Sequence, residues 1–149
     1  ERVIAEIKCI DAPIIVYSGP SGALLRAPIL NTEKKFLHIH GGVAPQYRGS
    51  TAFYFSILKE GTLGATALYL DEKIDTGPVI EFKHYRPEVN LEIDRILDPL
   101  VRGDLLIDVL KLIVNGQIPR GRRQKKVGTT YYVMHPVLKH LAIKRANSQ

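Results

Sequence analysis

Phe36-Leu37-His38-Ile39-His40 alternates apolar and imidazole side chains, and Gly41-Gly42 ends the run at once. A period of two reads as a strand, and the glycine pair reads as the loop that leaves it. Leu37 and Ile39 then share one face and His38 and His40 the other, so the strand needs a packed layer behind it. The flanking segments supply strands and helices in alternation. Residues 1–9 space Val3, Ile4, Ile7 and Cys9 at helical intervals, and Ile14-Ile15-Val16-Tyr17 is a β-branched run closed by Ser18-Gly19-Pro20-Ser21-Gly22. Residues 23–29 read as a brief helix. Ser50 reads as the cap of a helix to about Lys59, with Gly61 as its stop. Ala65–Leu70 and Pro78–His84 read as strands joined through Asp71–Gly77. Asp98-Pro99 reads as a helix start, with Leu100, Leu105, Leu106, Val109, Leu110 and Ile113 on one side and a stop near Asn115-Gly116. A Thr129–Val133 strand and a helix from Pro136 complete the chain. This order predicts an α/β fold with a mostly parallel sheet and helices on both faces, whose ligands bind at the carboxyl ends of the strands.

With 149 residues and 45% hydrophobic side chains, the chain has the material for one core without a disulfide or metal staple. No run approaches the roughly 18 apolar residues of a membrane span. One cysteine, Cys9, forms no internal disulfide, sits on a predicted helix as packing, and suits a reducing cytosol, so a cytoplasmic location with no membrane contact is expected. The chain opens with Glu1-Arg2-Val3 and shows no signal-peptide pattern, and is read as part of a longer polypeptide. Residues 1–115 hold 13 Lys+Arg against 15 Asp+Glu, whereas residues 116–149 hold 8 basic residues and no acid. A basic extension over 125–149, packed on or beside the 1–124 domain, reads either as a solvated segment or as a surface for phosphate, RNA or an acidic partner.

The predicted loops carry the chemistry. Two imidazoles on one strand face point to a site more than a single histidine would. Asp75 precedes Thr76-Gly77-Pro78, where it serves either as turn chemistry or as a carboxylate that orients an imidazole and exchanges protons with it. Two histidines and one carboxylate also match a metal-ligand set, a weak signal without a further ligand. Ser18–Gly22 lacks the Gly-Lys-Ser/Thr of a P-loop, and no G-x-S-x-G elbow is present.

Four motifs fall in order over Phe36–Ile80: His38-Ile39-His40, Pro45-Gln46-Tyr47-Arg48-Gly49, Gly64-Ala65-Thr66 and Asp75-Thr76-Gly77-Pro78. Their order and spacing resemble the formyltransferase family that uses 10-formyltetrahydrofolate, whose members act on methionyl-tRNA, glycinamide ribonucleotide or amino sugars. The resemblance covers roughly residues 10–124 and implies a Rossmann-like formyltransferase domain lacking its first strand–helix units. It implies His40 and Asp75 as catalytic residues, with His38 standing where the family has asparagine, and Gly41-Gly42 replacing the family's proline and serine. It places the folate pocket on Gly19, Pro20, Ser21, Gly22 and Leu24 and on Leu70, Asp71, Ile74 and Asp75, with Ile29 as a further apolar wall. The implied partners are a folate donor and an amine acceptor, with no metal.

Formyl transfer passes through a tetrahedral oxyanion, which calls for donors at the oxygen and a path for the amine's proton. In this reading His40, protonated beside Asp75, supplies charge, His38 is a second donor, and Asp75 shuttles the proton. Arg48 either anchors an anionic group of the acceptor or pins its own loop. The rivals are a hydrolase that releases formate from the same site, a metal centre at His38, His40 and Asp75, and a binding module with a degenerate site. In the last, Arg120, Arg122, Arg123, Lys125 and Lys126, near Tyr131 and Tyr132, would contact RNA.

Overall fold

The β-branched run Ile14–Val16 forms strand β1, and the alternating segment Lys35–His40 forms β2 beside it, parallel, with Ile14 opposite Lys35 and Val16 opposite Leu37. The computed structural model describes residues 1–19, 23–124 and 128–148. Pro20, Ser21 and Gly22 of the expected folate loop and Lys125 and Lys126 of the basic segment lie outside the described residues. Strand β4 (Leu63–Tyr69) runs antiparallel to β2, and β5 (Val79–Tyr85) antiparallel to β4, giving the order β1-β2-β4-β5. The α/β class agrees with the sequence reading, but parallel pairing in this sheet is confined to β1–β2. The nine residues linking β4 to β5 return the chain as a hairpin, too short for the crossover that parallel neighbours need.

A second, two-stranded sheet pairs β3 (Tyr47–Gly49) in parallel with β6 (Thr129–Tyr131). The sequence predicts no strand at Tyr47–Gly49, because three residues with a proline two positions ahead carry no periodic pattern. β6 likewise ends at Tyr131, two residues before the expected Val133.

Helices α1 (Arg2–Cys9) and α2 (Ala27–Leu30) form near the expected positions, and Cys9 is exposed rather than packed. Helix α3 (Ala52–Glu60) stops at Gly61 in the left-handed region, as its glycine allows. Its N-cap is Thr51 and not Ser50. Thr51 takes φ 54°, unusual for a β-branched residue, and its hydroxyl donates to the Tyr132 carbonyl and accepts from Met134 N–H.

A π-helical turn (Ile93–Leu97) runs straight into α4 (Asp98–Val114), so Asp98 lies within continuous helix and does not cap it. The inward stripe of α4 is Val101, Leu105 and Val109, with Leu106 and Ile113 partly packed. Leu100, expected inside, is 58% exposed because it sits one residue, about 100°, off that stripe. α4 packs Leu105 and Val109 on Leu37, Ile39, Ala65, Ala67 and Tyr69. The small alanines of β4 let the helix approach the sheet.

The other core joins α3, the π turn and α5 (Pro136–Ala146) through Phe53, Tyr54, Ile57, Ile93, Leu97, Ala142 and Ala146. Residues 128–148 thus contribute strand and core rather than a free tail. Leu105 is fully buried, and Leu105→Ala is expected to cost about 3 kcal/mol of stability, read from the shift in the urea unfolding midpoint.

Candidate active site

β2 delivers its two histidines to the face away from α4. The loop after His40 folds back over that face, fixed by Thr66 of β4. The buried Thr66 hydroxyl donates to the Gly42 carbonyl at 2.6 Å and accepts from Ala44 N–H at 3.0 Å. A Cβ on Gly42 would lie 2.6 Å from the Tyr47 carbonyl oxygen and 2.9 Å from His40 Nε2. The glycine is therefore what lets backbone and imidazole come together here. His40 Nε2 donates to the Tyr47 carbonyl at 2.7 Å, which places a hydrogen on that nitrogen and turns Nδ1 the other way.

Nδ1 of His40 faces Asp75 Oδ2 at 3.3 Å, with the two side chains only 6% and 11% exposed. Asp75 itself sits at φ 51°, a left-handed conformation that aspartate tolerates better than most residues. Gly49 N–H donates to the same Oδ2 at 2.8 Å. Two lone pairs cannot face each other favourably in a dry pocket, so this contact calls for a proton between imidazole and carboxylate.

His38 is oriented from the β1 side. Its Nδ1 lies 3.1 Å from the Tyr17 carbonyl oxygen, and a carbonyl only accepts, so Nδ1 carries the hydrogen. Burial pushes the His38 imidazole below its ordinary value. The Tyr17 bond and the Asp75 charge oppose that shift, while His40 and Arg102 add to it. A neutral ring with hydrogen on Nδ1 presents a lone pair at Nε2, not the N–H donor expected from the sequence. One ligand atom each of His38, His40 and Asp75 lies within 4.8 Å of the others, which also fits a three-ligand metal group.

Arg48 is buried, and its Nε and Nη2 donate to Gln124 Oε1. Of the two roles read from the sequence, this contact supplies the one in which Arg48 pins its own loop. Gln124 completes the clamp, donating through Nε2 to the carbonyls of Asp75 at 2.9 Å and Gly77 at 2.8 Å. A single glutamine in a basic stretch gives no signal of this role by itself. Gln124→Ala is expected to lower turnover about tenfold with the fold retained, since it frees the Asp75 backbone without removing a reacting group. Steady-state kinetics beside a circular dichroism melt would check this.

The other expected ligand residues lie on two loops. Gly19 and Leu24 lie on the loop leaving β1, and Leu70, Asp71, Ile74 and Asp75 on the loop leaving β4, with β2 between the two strands. Leu24 and Ile74 expose apolar surface. Asp71 instead organises its own loop, accepting from Thr76 Oγ1 and Lys73 N–H. Under Gly41, Asp98 receives Arg102 Nη2 at 2.6 Å, and burial raises its carboxyl above the ordinary value against the pull of that arginine. Of the aromatic residues beside the basic segment, Tyr131 stacks on Phe55 and Tyr47, whereas Tyr132 is exposed.

No family model matches the chain. Over 107 residues it is 31% identical to methionyl-tRNA formyltransferase of Lysinibacillus sphaericus, covering 69% of this chain and 34% of that protein. Over this stretch the chain is similar in sequence to the methionyl-tRNA formyltransferases of several bacteria. It spans about a third of the length of that relative. Formyltransferase structures share the fold. A sugar N-formyltransferase from Shewanella superposes with TM-score 0.71 at 20% identity, over 98% of this chain and 64% of that one. The formyltransferase PseJ from Anoxybacillus kamchatkensis, in complex with tetrahydrofolate and UDP-4,6-dideoxy-4-formamido-L-AltNAc, superposes with TM-score 0.56 at 23% identity, over 66% and 52%. Against this formyltransferase fold, no helix among the described residues is long and apolar enough to cross a membrane.

Proposed function

We propose that the chain carries the catalytic residues for transfer of a formyl group from 10-formyltetrahydrofolate to a primary amine. The observation that carries this reading is the buried His40–Asp75 contact, held at 3.3 Å and fixed at both ends by main chain through Tyr47 and Gly49. Such a pair holds a proton in low-dielectric surroundings, where its charge acts strongly on a developing oxyanion. The amine attacks the formyl carbon, the carbonyl electron pair moves to oxygen, and collapse expels the folate nitrogen. No covalent nucleophile is needed. The folate pterin is taken between the loop after β1 and the Leu70–Asp75 loop, against Leu24 and Ile29. The acceptor is an amine of the kind the relatives' names indicate, on a sugar or an aminoacyl-tRNA.

The test has two stages. Calorimetric titration with 5-formyltetrahydrofolate, a stable stand-in for the donor, should give saturable one-to-one binding that weakens when the Leu70–Asp75 loop is altered. Incubation of 10-formyltetrahydrofolate with UDP-amino sugars, methionyl-tRNA and glycinamide ribonucleotide should then yield a formylated amine, with turnover unaffected by chelator. Formate release without acceptor would make the site a hydrolase instead. Absence of both folate binding and turnover in a folded sample overturns the reading.

A further inference from the structure

Resting on the formyl-transfer reading, we propose that His38 is the general base of the reaction, its Nε2 taking the proton of the attacking amine and passing it to the departing folate nitrogen. Three observations converge on this atom. The Tyr17 carbonyl holds the hydrogen on Nδ1, which makes Nε2 the acceptor of the neutral ring. Among the described residues no hydrogen-bond partner takes Nε2. His40 is committed at both nitrogens, Nε2 to Tyr47 and Nδ1 to Asp75, and Asp75 Oδ2 is shared between Gly49 N–H and His40.

The position matters because an asparagine there has no basic nitrogen. An amide donates and accepts hydrogen bonds but does not hold a transferred proton at neutral pH. Histidine at residue 38 gives this chain a proton carrier where the family resemblance implies an asparagine, and it divides the labour. His40 and Asp75 supply fixed charge, and His38 moves the proton. The balance is complete within the site. As the C–N bond to the amine forms, the amine's proton goes to Nε2. As the bond from carbon to the folate nitrogen breaks, that nitrogen takes the proton back from Nε2–H. The ring ends as it began. The groups that face His38 set its range: Asp75 favours the protonated ring, and His40, Arg102 and burial oppose it. A base is useful only when unprotonated, so the rate should hold through neutral pH and fall on acidification below 6.5, the ordinary histidine value.

The experiment joins a structural readout to a kinetic one. Nitrogen-15 imidazole correlations on the labelled chain should show His38 at pH 7 as the neutral tautomer with hydrogen on Nδ1. His38→Asn should lower kcat about a hundredfold, with little change in the folate KM, and remove the acidic limb of the pH profile. Added imidazole should restore part of the activity of His38→Ala. A cationic or Nε2–H ring at pH 7, or a His38→Asn variant with wild-type kcat and pH profile, overturns the inference while leaving formyl transfer standing. A wild-type chain that neither binds folate nor turns it over removes the formyl-transfer reading, and this one with it.

Discussion

Asp75→Asn should lower turnover at least about a hundredfold while the protein still folds. The carboxylate is held by Gly49 N–H and faces His40 Nδ1, and it is the only anion in direct contact with that imidazole among the described residues. An amide of the same shape keeps one acceptor for Gly49, so the loop stays in place. It removes the negative charge that makes a proton on His40 Nδ1 favourable, and with it the positive charge available to the oxyanion. His40→Ala removes the same charge from the other side and should fall in the same range. The two changes act on one unit, so the double variant should be no worse than the poorer single one. Single-turnover rates of the three variants, with circular dichroism to confirm folding, would check this. An Asp75→Asn variant within a few-fold of wild type would show that the pair plays no part in the chemical step.

Gly49→Ala should lower both stability and turnover, through one cause. Gly49 has φ +86°, and an added Cβ would lie 2.1 Å from the Tyr131 carbonyl oxygen. A side chain there is strained in backbone and blocked by backbone, neither of which relieves itself by a rotamer change. The loss is expected to be about 3 kcal/mol or more, enough to separate β3 from β6. Because Gly49 N–H is also a ligand of Asp75 Oδ2, the shift carries into the site. Unfolding midpoint and kcat should therefore fall together. A variant with a normal midpoint would mean that β3 moves without cost.

The features that were legible in the sequence are those with a local cause. Alternation located β2 with its histidines on one face, and Gly61 and Asn115 stopped α3 and α4 as their residue types predict. The family resemblance carried by four motifs in order points to His40 and Asp75, and the fold brings them into contact. Features made by distant pairs were not legible. β3 exists because Thr129–Tyr131 arrives beside it. Gln124 gains its role by meeting Arg48 and Asp75, 76 and 49 residues away in sequence. The inward turn of Arg48 follows from that meeting, and the tautomer of His38 follows from where Tyr17 places a carbonyl. Hydrogen-bond polarity at a ring nitrogen depends on its partner, which no residue pattern names.

The pairing of β3 with β6 also bears on the order of events when the chain folds. Tyr47 meets Thr129, and Thr51 reaches Tyr132 and Met134, across more than 80 residues. Closing loops of that length is slow compared with forming the β4–β5 hairpin or α4. During synthesis the hairpin and both histidines emerge well before the segment that holds Tyr47, Gly49 and Arg48 in place. The proposed site is therefore complete only once Thr129–Tyr131 docks beside β3, and before that His38, His40 and Asp75 are present without the contacts that hold their loops.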